Sequence, residues 1–191
     1  MIVVDLETSG ADYRDCSILS IGALDFSNQS NTFYGECRLR EDAFIDPKSL
    51  EVTGFTIEHI KNNPKSCEQL LKEFIEWCKN INDFTIAGHN IQFDFNFLRE
   101  HFKIYGLEWI FRKRMVDIHS IFYFYMLKNK IEIPLSNNVS ALSLDKILEY
   151  LKLKRNGNTH NALEDAKLTA EAFSILLKEE FATIILYNKN V

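Results

Sequence analysis

The opening run MIVVDLETSG sets two carboxylates into an apolar strand, and that pairing constrains the fold more than any other stretch of the chain. Met1 to Glu7 has the apolar, β-branched character of a buried strand. Asp5 and Glu7 stand at i and i+2, so both side chains leave the same face. At a rise of roughly 3.3 Å per residue, their Cα atoms would lie about 6.6 Å apart. Two carboxylates that close repel, and near a core they are costly unless a cation sits between them. A strand end that simply emerges into solvent also matches an isolated D-x-E, so the pattern needs support from elsewhere.

The rest of the chain reads as alternating strands and helices. Cys16–Phe26 and Asn31–Leu39 are expected strands, separated by the turn-forming Ser27, Asn28, Gln29 and Ser30. Short helical pieces follow from Ser49 to Ile60. Ser66 caps a helix whose apolar face is Leu70, Leu71, Phe74, Ile75, Cys78 and Ile81. Phe84–Ala87 is a fourth strand, Asp94–Tyr105 a helix, and Met115–Leu127 a short strand or loop leading into another helix. Leu144, Ile147, Leu148 and Leu151 mark one more helix. Asn161 and Glu164 make a capping-box-like start for the last, which runs toward Glu180. This order predicts an α/β fold around a mixed sheet, with residues 1–191 forming a single domain.

Three further residues attract attention. Asp94, just after the fourth strand, reads either as a helix N-cap or as a ligand. Asp165, one turn into the last helix, complements the helix dipole or binds a cation. His160 lies just before that helix, in a polar loop. Each has an ordinary structural explanation alone, yet all of them, with Asp5 and Glu7, fall outside strand ends or at helix starts. Ligands gather there in α/β sheets. Oxygen-only ligation selects Mg²⁺ or Mn²⁺ over softer metals, and one histidine adds a group that takes a proton near neutral pH.

Composition sets the outer limits. The net charge of −5 argues against non-specific duplex binding, which needs clustered Lys and Arg. It does not exclude a nucleic-acid enzyme whose carboxylates are neutralised by metal. Cys16, Cys37, Cys67 and Cys78 form no CxxC pair and are expected to be free thiols in a reducing, cytoplasmic setting. No leader or membrane-spanning run is expected.

The motifs D-L-E-T-S-G, H-N-I-Q-F-D-F-N-F-L and H-N-A-L-E-D-A, in this order, resemble those of the DEDDh 3′→5′ exonucleases, the group of the DNA polymerase III epsilon subunit and RNase T. The resemblance runs from Ile2 to about Phe173, and His160 five residues before Asp165 marks the histidine subtype. It implies a ribonuclease-H-like fold: a five-stranded mixed sheet flanked by helices on both faces. It also implies two divalent cations, Mg²⁺ or Mn²⁺, held by Asp5, Glu7, Asp94 and Asp165, with His160 as general base and nucleoside 5′-monophosphates as products.

Substrate contacts follow from the same resemblance. The backbone at Leu6 and Thr8 would meet the terminal nucleotide, and Phe55 and Phe93 would offer stacking surfaces or pack in the core with equal weight. His89 and Asn90 stand in the second motif; His89 bonds either substrate or a local backbone group. Ala11 stands where relatives often carry a larger apolar wedge. His59, His101 and His119 are expected to be structural. Lys152, Lys154, Arg155 and the run Arg112–Lys113–Arg114 could touch phosphates, although such charges usually form a solvated face. Gly157 is expected to lend the His160 loop mobility. The expected substrate is a single-stranded DNA 3′ end, with RNA end-trimming as the alternative and a non-catalytic binding module as a third reading. A polymerase or repair protein is an expected partner, and a membrane is not.

Overall fold

The protein is described here by a computed structural model of residues 1–155 and 159–189, with side chains through residue 178. Its strands are β1 Ile2–Thr8, β2 Ile18–Asp25, β3 Asn28–Glu36, β4 Ile86–Gly88 and β5 Met115–Asp117. They form one mixed sheet in the order β3-β2-β1-β4-β5. β1 pairs antiparallel with β2 and parallel with β4, which in turn pairs parallel with β5. The helices are α1 Pro47–Thr53, α2 Ile57–Asn62, α3 Cys67–Cys78, α4 Gln92–Ile104, α5 Ile118–Lys128, α6 Leu144–Tyr150 and α7 Ala162–Lys189.

The alternation along β1 divides the core in two. Ile2, Val4 and Leu6 face one side, where they pack with Leu70, Leu71 and Phe74 of α3 and Phe97, Leu98 and Phe102 of α4. Val3 faces the other, against Ile118 and Phe122 of α5 and Ala166, Ala170 and Phe173 of α7. Helices therefore cover both faces, as the resemblance implied. Burial of each large side chain stabilises by about 1.5–3 kcal/mol. Asp5 and Glu7 share the parity of Val3, so they leave the strand on the α7 side.

One glycine sets how close α7 comes. Gly22 in β2 pairs with Asp5, and a Cβ there would lie 2.1 Å from the backbone of Ala162 and Leu163. The first turn of α7 thus rests directly on the strand backbone. Asn161 starts this helix by accepting a bond from the Glu164 amide at 3.1 Å. One turn further in, Asp165 is carried to the strand that holds Asp5 and Glu7.

Several boundaries differ from the sequence reading. The β2–β3 turn is shorter than the expected four residues, because the Asp25 carboxylate accepts bonds from the Ser27 amide and hydroxyl and closes it at once. β3 accordingly begins at Asn28. A small hairpin, β6 Leu135–Ser136 and β7 Val139–Ser140, was not foreseen. Its turn places Asn137 and Asn138 at φ 49° and 64°, the left-handed region that asparagine tolerates. The last helix continues beyond Glu180 to Lys189. The four cysteines are free, as expected, and all are buried. No helix among the described residues is long and apolar enough to cross a membrane.

Candidate active site

β1 outlasts its neighbour, and that opens the site. Its pairing with β4 covers only Ile2 and Val3, so the β1 edge beyond them has no strand partner on that side. The chain leaves β4 at Gly88, turns through Asn90 at φ 52°, and enters α4. Asp117, at the end of β5, fixes this turn by accepting the amides of Asn90 and Ile91, each at 3.2 Å. Asp94 then sits in the first turn of α4 and accepts the Leu6 amide at 3.0 Å. It does not cap its own helix, whose preceding residue is Ile91 with no side-chain cap. Asp94 instead joins the helix to the free edge of the strand carrying Asp5 and Glu7.

The third segment arrives on α7. Glu7, His160 and Asp165 bring potential ligand atoms within 4.8 Å of one another. His160 Nδ1 lies 3.1 Å from Asp165 Oδ2, and its backbone amide donates to Val52 at the end of α1. Gly157, expected to lend this loop mobility, lies outside the described residues. Glu7, His160 and Asp165 thus share one ligand cluster, and Asp5 and Asp94 lie close enough to Glu7 for their charges to interact with it.

The electrostatics are those of an under-neutralised acidic site. Desolvation, with Asp94 and Glu7 adding to it, raises the Asp5 carboxyl well above its usual range. Desolvation likewise raises Asp94, against the bonds it accepts from backbone amides. Glu7 is pushed up to about 7, again by desolvation, with Arg155 pulling the other way. His160 is lowered by desolvation and by Arg155, which favours the neutral ring.

Arg155 is the correction to the sequence reading. Lys152 and Lys154 are exposed, as is Arg112–Lys113–Arg114, but the Arg155 side chain is only 10% exposed. Its guanidinium bonds Asp165 and reaches Asp145 of α6 at 3.0 Å. Sequence spacing offered no signal for this, since the pairing depends on how α6 and α7 pack.

The donor set fits divalent cations. Glu7 Oε1 is a buried acceptor without a hydrogen-bond partner among the described residues. Such an atom is expensive unless something positive meets it. Carboxylates from three segments meet here, and those of Asp5, Glu7 and Asp94 are raised by desolvation, so the set gains from a shared cation.

A cleft of about 260 Å³ opens beside these residues, lined by Leu6, Glu7, Thr8 and Phe93 together with Lys48, Ser49, Val52 and Thr53. Of the expected substrate residues, Leu6, Thr8 and Phe93 meet here. Phe55 does not line it; its ring stacks on His59 at 5.3 Å and packs toward Leu19, Leu39 and Ile60. His89 is engaged by the Leu142 carbonyl at 3.0 Å, and Asn90 is exposed at the turn into α4. Sequence reasoning missed the α1 residues because nothing in their spacing points to a ligand. His59, His101 and His119 each have partners away from this cluster: Glu36, the Phe97 carbonyl and Ile18 amide, and Ser140.

Comparison with known proteins agrees with this geometry. Residues 2–173 match the model of the RNase T exonuclease family. The chain belongs to this exonuclease family. Its motifs are of the DEDDh type, and it is similar to the DNA polymerase III PolC-type protein of Thermotoga maritima, at 31% identity over 173 residues. That match covers 90% of this chain but only 11% of the relative, so the chain spans a small part of the PolC-type proteins. The 3′-5′ DNA exonuclease Cap18 of Escherichia coli is 29% identical, with 93% of this chain and 91% of that protein aligned. Among solved structures, the nuclease domain of 3′hExo, a DEDDh family member bound to rAMP, superposes with a TM-score of 0.70 at 20% identity, covering 93% of this chain and 91% of that one. This last likeness is one of fold.

Proposed function

We propose that this exonuclease domain removes nucleotides one at a time from the 3′ end of single-stranded DNA, releasing nucleoside 5′-monophosphates. The observation that carries the reading is the convergence of Glu7, His160 and Asp165 around a buried, unpartnered Glu7 oxygen, with the charges of Asp5 and Asp94 acting on the same site. Asp5, Glu7, Asp94 and Asp165 would hold two divalent cations, Mg²⁺ or Mn²⁺, which supply an activated water and charge neutralisation at the phosphate. His160, kept neutral by burial and by Arg155, accepts the water proton as general base. The backbone of Leu6 and Thr8, with Phe93, seats the terminal nucleoside in the adjoining cleft. Preference for DNA draws support from the name of the Escherichia coli relative, which aligns along nearly its whole length. Work beside a polymerase or repair protein is part of the same proposal, from the PolC-type relatives. Residues 1–191 act in it as one domain, in the cytoplasm.

A 5′-labelled single strand tests this directly. Mn²⁺ or Mg²⁺ should give a ladder shortening from the 3′ end, chelator should stop it, and a matched RNA strand should be degraded more slowly. Equal cutting of a circular single strand would sink the assignment. His160→Ala should lower the single-turnover rate by about 10²–10⁴-fold, the range for positioned proton transfer, while His119→Ala changes it far less.

A further inference from the structure

A second cavity, larger than the catalytic cleft, lies along the same helix. It measures about 560 Å³ against about 260 Å³, within the usual range for ligand pockets. Tyr13, Asn96, Arg99, Glu100, Lys103 and Trp109 are among the residues that line it. Phe93, which lines the catalytic cleft, stands three residues before Asn96, six before Arg99 and ten before Lys103. These offsets keep to one side of a helix, so a single face of α4 leads from the cleft to the cavity. At about 1.5 Å per residue, the path from Phe93 to Lys103 is roughly 15 Å.

The two hollows also share an aromatic floor. The Phe93 and Phe97 rings are 4.8 Å apart, and Phe97 meets Tyr13 edge-on at 6.5 Å. Trp109 is half-buried and wedged by edge contacts to Phe95 at 5.2 Å, Phe102 at 5.2 Å and Phe111 at 5.1 Å. Its indole is therefore already ordered, and a base stacking on it would cost little further side-chain entropy.

Charge completes the pattern. Arg99 is exposed and makes no hydrogen bond or ion pair among the described residues. Lys103 is tied only loosely, to Glu100 at 3.3 Å, whereas Arg14, over the Tyr13 ring at 5.4 Å, is already paired with Asp12 through two contacts of 3.1 Å. In a chain of net charge −5, Arg99 is thus a cation left open beside two half-buried aromatic rings, Tyr13 and Trp109. Cations that follow a backbone and rings that stack bases are what sequence-independent single-strand binding requires.

We propose that this cavity holds the strand on the 5′ side of the nucleotide being removed, with a base against Trp109 and Tyr13 and a phosphate at Arg99. The proposal rests on the exonuclease reading for its direction, but binding tests it separately. The probe is a fluorescein-labelled dodecathymidylate, with anisotropy measured in Ca²⁺. Arg99→Glu should weaken binding about tenfold, and Tyr13→Ala several-fold. Arg99→Gln should lower the slope of log affinity against log salt by about 0.7, the value for one lost phosphate contact to a single strand. Hydrolysis of thymidine 5′-monophosphate p-nitrophenyl ester, which has no nucleotide upstream, should be unchanged in both Arg99 variants, while KM for the dodecamer rises. Unchanged dodecamer affinity in Arg99→Glu overturns the subsite. Equal losses on ester and dodecamer also overturn it, since they report general damage. A parent protein that binds the strand without degrading it would refute the exonuclease reading and leave the affinity comparison valid.

Discussion

Replacing Arg155 with glutamine removes the guanidinium that faces the acidic cluster, and the consequences divide cleanly by metal. Arg155 and Asp165 are 10% and 2% exposed, so their pair is a buried one. Taking one partner from a buried pair typically costs about 3–5 kcal/mol, because the other charge is left uncompensated. Asp145 is 63% exposed, so its bond to Arg155 adds at most about 1 kcal/mol. At about 2–4 °C per kcal/mol for a chain of this size, a loss of about 3 kcal/mol lowers the melting temperature by roughly 6–12 °C in chelator. Added Mn²⁺ supplies the missing positive charge, so the difference from the parent should shrink sharply at saturation. The same reasoning raises Mn²⁺ affinity, since the ion no longer displaces a guanidinium from Asp165. A competition worth about 3 kcal/mol sets an upper bound of roughly 100-fold. Calorimetric melting with and without Mn²⁺, and Mn²⁺ titration followed by electron paramagnetic resonance, read both effects. An unchanged melting temperature in chelator, or weaker Mn²⁺ binding in Arg155→Gln, would refute the argument.

Three other outcomes are expected. Glu7 has its folded-state pKa raised from 4.5 to about 7, so its contribution to metal-free stability is complete below about 4.5 and is lost as pH rises through 7; Mn²⁺ binding at pH 6.5 should release protons, and binding heats that do not vary with buffer ionisation enthalpy would contradict this. His101 is buried with its pKa lowered from 6.5 to about 4, so its stabilising effect is present above about 6.5 and disappears as pH falls through 4. That window is worth about 3 kcal/mol, and urea unfolding of His101→Asn should show a correspondingly flatter pH dependence; identical slopes would exclude the effect. Gly22→Ala would force a methyl into the backbone of α7, lowering stability by about 1–3 kcal/mol or more and weakening Mn²⁺ binding through Asp165; a melting temperature within a degree of the parent would show that the contact yields freely.

What the sequence determined by itself was the chemistry and the general plan. Asp5 and Glu7 share a face of β1 because strand periodicity is 2, and Asp165 and His160 flank a helix start whose Asn161 cap is local. Those relations depend on residues a few positions apart, and they are legible without a fold. The three motifs likewise placed the chain among exonucleases and predicted the mixed sheet with helices on both sides.

Tertiary structure decided what depends on distant segments. Asp94 serves the β1 edge rather than its own helix because β4 ends early and exposes the Leu6 amide. Arg155 left the expected solvated face because α6 and α7 bring Asp145 and Asp165 to either side of it. Phe55 and Phe93 were equal candidates in sequence, yet only Phe93 lines the cleft, since α4 starts there while Phe55 packs on His59. Gly22 carries no signal of its own; its role exists only because α7 lands on the strand opposite Asp5. Local periodicity sets which face a side chain leaves, whereas the packing of remote elements sets what it meets there.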